Sequence, residues 1–160
     1  MGTQRFGQAI AAASALFLAA GTAQAQQVTA ANPDSIAKVL RDRGYRAELT
    51  KDEDGDPLIK SGADGSNFLL LFFNCTAGKA CATVQFYAGF DRDGEFPLET
   101  LNDWNRTNRF GRAYRDKVGD PVVEMDLDLD DGGMSTALFE DNLEFWVSIV
   151  AAFRRHIDAR

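Results

Sequence analysis

Three groups of residues in this chain have types and spacings that could do chemistry. The densest is Leu101–Tyr114, LNDWNRTNRFGRAY, which holds three arginines, three aromatics, three asparagines and a threonine. The mixture is too aromatic for a solvated loop and too polar for a plain core helix. Arg106, Arg109 and Arg112 beside Trp104 could line a small-ligand or catalytic cleft. The second group is a row of acids. Glu124, Asp126, Asp128 and Asp130 alternate with Val123, Met125, Leu127 and Leu129, so period two places the carboxylates on one face of a strand. Three readings stay open for Asp126, Asp128 and Asp130: a solvated sheet face, a docking stripe for a basic partner, or a calcium loop. Against calcium, the segment puts glycine one position late and Ala137 where a loop of this kind needs a bidentate glutamate. The third group is Cys75 and Cys81, which flank Thr76–Ala80.

The search for a catalytic set ends there. The single histidine, His156, falls in the last turn of a helix, where it suits the helix dipole. No G-x-S-x-G, P-loop or H-E-x-x-H motif occurs. Two thiols and one distant histidine do not make a zinc set. The sequence therefore predicts no catalytic residues, no metal and no cofactor.

Address comes from the N-terminus. Residues 1–25 carry one charge, Arg5, then an apolar run of about 12 residues, against the ~20 needed to span a bilayer. The run ends at an A-x-A site, which predicts a secretory signal peptide cleaved after Ala25 and no membrane insertion afterwards. An exported chain meets an oxidising compartment, where Cys75 and Cys81 would form a disulfide across a hairpin. A loop this short yields a modest stabilisation of about 2 kcal/mol. Residues 26–32 read as a flexible leader and 33–160 as one α+β domain. Loss of Arg5 takes the net charge from −7 to −8, which argues against nucleic acid and anionic membranes as partners.

The elements that must position these residues are three helices and a set of strands. Asn32-Pro33 opens the first helix, with Asn32 as cap, and Gly44 ends it. Tyr45–Thr50 and Pro57–Lys60 read as strands. Phe68–Phe73 is apolar on both faces, which places it centrally in the sheet. Ala82–Phe90 follows as a strand after the cysteine loop. Pro97 starts the second helix, with Leu98, Leu101 and Trp104 on its buried side. Arg112–Val118 and Pro121–Leu129 form an antiparallel pair. A two-residue turn at Gly119-Asp120 would set Arg115 opposite Glu124, with Lys117 on the same face. The last helix runs from about Met134 to Ile157. Its apolar positions make two rows, Phe139, Leu143, Trp146, Val150, Phe153, Ile157 and Leu138, Phe145, Ile149, Ala152. The stripe is wider than one sheet face needs. Trp146 and Val147 are the candidates for a dimer or partner surface formed by the excess.

The pattern resembles the YbjN-domain family of bacterial proteins, proposed as sensory-transduction regulators. The resemblance covers about residues 33–157. It is most specific at Leu101–Arg106 and Arg109–Tyr114, with support from the helix–strand opening, the apolar strand near Asn67–Asn74 and the long closing helix. It implies a fold like that of type III secretion chaperones: a helix, three strands, a helix, more strands and a final helix. The residues themselves add one strand before the middle helix. The family brings no catalytic residues to carry over. Two functions follow as expectations. One is an exported, non-enzymatic domain that binds a protein or peptide partner, with a homodimer among the options. The other is a small-ligand binder or enzyme using a cleft near Trp104 and the arginines.

Overall fold

A computed structural model describes Gly2 and residues 27–159. The signal peptide expected over residues 1–25, with cleavage expected after Ala25, falls, Gly2 aside, outside the described residues. In chain order the elements are β1 (Gln27–Val28), α1 (Pro33–Asp42), β2 (Glu48–Lys51), β3 (Pro57–Ala63), β4 (Ser66–Phe73) and β5 (Thr83–Gly89). They continue with α2 (Leu98–Thr107), β6 (Arg112–Arg115), β7 (Pro121–Asp128), β8 (Met134–Ser135) and α3 (Thr136–Asp158). Six strands make one antiparallel sheet in the order β2-β3-β4-β5-β7-β6, and β1 pairs with β8 separately. This is the α+β architecture that the sequence implies, with four strands between the first two helices.

Proline at the first helical position starts α1, and Ile36, Ala37, Val39 and Leu40 make its buried face. Asn32 holds the cap position, but its side chain makes no capping bond. The hydroxyl of Ser35 instead donates to the Asn32 carbonyl at 2.6 Å. In α2, Thr100, Leu101 and Trp104 are buried while Leu98 points outward. The last helix begins later than its periodicity suggests. Met134 and Ser135 are extended, and the Ser135 hydroxyl accepts the Leu138 N–H as a cap.

That extension has a purpose. Val28 pairs with Met134 and Gln27 with Ser135. Gly133 has φ +78°, and a Cβ there would lie 2.0 Å from the Val28 carbonyl oxygen, so only glycine lets the two backbones meet. Residues 27–32 are therefore part of the fold and not a flexible leader. Val28 is 1% exposed and Ala30 fully buried. A short strand pairing and two buried apolar side chains offset the entropy of ordering the segment.

All three helices share one sheet face. Strand β4 turns Phe68, Leu70 and Phe72 to that face, together with Ile59, Val84, Phe86, Met125 and Leu127 from its neighbours. Trp146 sits at the centre of this layer. Its ring stacks on Phe86 at 5.4 Å and meets Phe68 edge-on at 6.1 Å. It is 0% exposed, so the expected partner surface at Trp146 is overturned, and Val147 is half-buried against the same core. The helix phase decides this. The row containing Trp146 faces the sheet, while the second row carries the excess, with Leu138 and Phe145 about half exposed. Phe145 pairs with Phe110 at 5.2 Å.

Strand β4 is central, as expected, because β3 and β5 flank it. It is not covered on both faces. Leu69 and Leu71 are half-buried, and Phe73 is 43% exposed on the side without helices. No described helix is long and apolar enough to cross a membrane. Cys75 and Cys81 are joined by a disulfide in the connection from β4 to β5. The strands end at Phe73 and begin at Thr83, so the bridge closes the loop and not the strand ends.

Candidate functional site

The Leu101–Tyr114 stretch is a corner held by side chain to backbone bonds. The Trp104 indole N–H donates to the Gly111 carbonyl at 3.0 Å. The Asn105 amide donates to the Ala113 carbonyl and accepts the Ala113 N–H, both at 2.9 Å. An amide used this way stands in for a neighbouring strand and closes the free edge of β6. Asn108 donates to the Trp104 carbonyl at 3.0 Å and finishes the helix. His156 ties the corner to α3 through the Thr100 carbonyl at 2.8 Å. Replacing Asn105 with alanine loses both bonds to Ala113. We expect a loss of about 2 kcal/mol in urea unfolding, with aggregation through the opened edge.

The three arginines do not converge. Arg106 pairs with Asp103 at 2.9 Å and Glu99 at 3.3 Å, which raises its pKa, first through the hydrogen bond to Asp103. Arg109 lies over the Phe110 ring at 5.4 Å. Arg112 pairs with Glu124 and covers Tyr114 at 5.9 Å. Trp104 is buried against Phe153 and His156, so it offers no wall to a cleft.

Arg112 opposite Glu124 corrects the expected register. Arg115 faces Pro121 instead and bonds Glu95 at 2.9 Å, and Lys117 lies in the turn. The Asp116 carboxylate accepts the N–H groups of Val118, Gly119 and Asp120 at 2.9–3.0 Å, which builds a five-residue turn over 116–120. The slip is three residues. An odd slip sends every β6 side chain to the other face.

The sheet face away from the helices is left open. Cross-strand pairing places Leu58, Leu69, Leu71, Phe73, Tyr87 and Tyr114 on it. Each is partly exposed. Asp126 and Asp128 flank this strip on β7, and Gln85 donates to Asp126 at 2.8 Å. Glu124 on the same face is buried and neutralised by Arg112.

A family model described as "Putative bacterial sensory transduction regulator", YbjN, matches residues 32–159. The chain belongs to the YbjN family. No curated protein and no solved structure matches it significantly. Membership supports a regulatory or binding role. In this YbjN domain the residues that label the family, Leu101–Tyr114, build the corner of the fold, and the open sheet face lies elsewhere.

The acidic row of the YbjN domain is a strand, as alternation predicted. Asp126 and Asp128 are exposed on β7, and Asp130 lies beyond its end. Among the described residues, no group of three or more His, Cys, Asp or Glu side chains is placed to hold a metal ion. The residues that sequence reasoning missed are Leu69, Leu71, Tyr87 and Tyr114. One signal was available: three helices cannot roof both faces of a wide antiparallel sheet.

Burial raises the Tyr87 pKa above 10.0, with Tyr114, Asp116 and Asp120 adding to it. Burial also raises the Tyr114 pKa, opposed by Arg112 and aided by Asp116. For an acid whose folded pKa is raised, stability is complete below the unfolded pKa and is lost as pH rises through the folded one. We therefore expect tyrosinate absorbance to lag that of the unfolded chain above pH 10.0 and stability to fall there. Tyr87→Phe should move this alkaline limit upward. A variant with the same limit would refute the assignment to Tyr87.

Proposed function

We propose that this YbjN domain is an exported, non-enzymatic module that binds a protein or peptide partner on its helix-free sheet face. The observation that carries this reading is the partly exposed apolar strip of Leu58, Leu69, Leu71, Phe73, Tyr87 and Tyr114. An apolar strip left open on one sheet face marks an interaction surface. Binding is favoured over catalysis because Trp104 and the three arginines each serve local contacts. A photo-crosslinking residue at Phe73 is expected to give discrete adducts in envelope extract. The same residue at Lys38, on the outer side of α1, should give none. Adducts from Lys38 alone would overturn the choice of face.

Export is supported by the A-x-A signal and by the Cys75–Cys81 disulfide, which suits an oxidising compartment. Cell fractionation should find a shortened chain outside the cytoplasm. Full-length protein confined to the cytoplasm would refute export. A second surface, Phe110 with Phe145 and Leu138, is the place for self-association. Sedimentation that shows a monomer at every concentration would remove it.

A further inference from the structure

We propose that the partner presents an arginine side chain, from an extended segment, to the cleft at the Tyr87 end of the open sheet face. The inference rests on the sheet-face reading above and adds the chemistry of the occupant. The cleft has a volume of about 270 Å³ and lies where β4, β5 and the turn before β7 meet. Leu69 and Tyr87 give it an apolar and aromatic wall, and Asp91, Asp116 and Asp120 give it three carboxylates. An arginine fits both parts. Its stem packs on apolar surface, its plane stacks on a tyrosine ring, and its fork bonds carboxylates.

Among the described residues no ion pair engages the three carboxylates, although the Arg92 guanidinium lies at the rim and donates to the Asp91 carbonyl at 3.4 Å. The ion pairs of Arg92 and Arg115 go to Asp158 and Glu95. Two of these acids are already held in place. Asp116 uses Oδ1 for the three N–H groups of its turn, and Asp120 uses Oδ1 for the Arg92 N–H at 2.8 Å. The second oxygen of each is thereby left to a ligand. Farther along the face Asp126 and Asp128 are also exposed, so a basic segment meets matching charge along its path. The raised Tyr87 pKa, caused first by burial and then in part by Asp116 and Asp120, reports the same negative field.

The probe is a soluble peptide of about ten residues in which valine alternates with arginine, matching the strand period. A second peptide carries citrulline in place of arginine and so keeps the shape without the charge. Calorimetry should find the arginine peptide bound about tenfold or more tightly than the citrulline one. The double variant Asp91→Asn with Asp120→Asn should remove that difference. Asp34→Asn with Asp141→Asn takes the same charge from the helix layer and should leave it. Equal binding of the two peptides would overturn the arginine site while leaving the sheet-face reading intact, provided Leu71→Ser weakens both. Equal effects of the two double variants would reduce the site to general attraction by an acidic protein and overturn it. Failure of both peptides to bind would also overturn it, and the crosslink at Phe73 would then judge the face independently.

Discussion

Alanine at Trp146 is expected to lower stability by about 3–5 kcal/mol and to leave a large share of the chain unfolded at 37 °C. Trp146 is fully buried and touches two aromatic rings of the sheet, Phe86 and Phe68. Its removal leaves a cavity that the closely packed aromatic layer around it cannot collapse to fill. The comparison that gives this its meaning is Phe145→Ser, one residue away on the same helix. Phe145 is 48% exposed, so its loss should cost about 1 kcal/mol or less. Urea unfolding followed by circular dichroism measures both. A small effect at Trp146 with a large one at Phe145 would mean that the phase of α3 is wrong by one position, and the Trp146 surface would return.

The second large effect is expected at Gly111→Ala, with a loss of roughly 2–4 kcal/mol. Gly111 has φ +82°, where a side chain is strained. An added Cβ would also sit 2.7 Å from Ile149 Cγ2 and 3.2 Å from Val123 Cγ2. Both neighbours are buried, so neither can move aside cheaply. The Gly111 carbonyl would shift with the backbone and loosen the Trp104 indole bond. Thermal melts should show Tm falling on the order of 10 °C. Gly44→Ala is the control. Its φ of +85° is similar and nothing lies within 4 Å, so it carries the backbone strain without the collision. Equal losses at the two glycines would remove the packing argument and leave Gly111 as a turn residue only.

Local signals carried a good deal of this fold. Pro33 placed the start of α1, and the alternation from Val123 to Leu129 placed β7 with Asp126 and Asp128 outward. Spacing paired Cys75 with Cys81, and the Leu101–Tyr114 motif named the family. Each of these is written in residues close together in the chain. The errors share the opposite property. The register of β6 on β7 turned on how many backbone groups the Asp116 carboxylate gathers, which no alternation pattern counts. The pairing of Gln27-Val28 with Met134-Ser135 joins segments about a hundred residues apart through a contact only Gly133 permits.

The candidate site shows the division most clearly. The types of its residues, apolar and aromatic on β4, β5 and β6 with acids on β7, are plain in the sequence alone, as is the absence of known catalytic motifs. Periodicity says which side chains share a face, because that follows from the geometry of one strand or one helix. It cannot say which face will be covered, because that depends on where elements distant in sequence come to rest. Only the tertiary structure placed all three helices on one side, buried Trp146 beneath them, and left Leu69, Leu71, Tyr87 and Tyr114 open on the other.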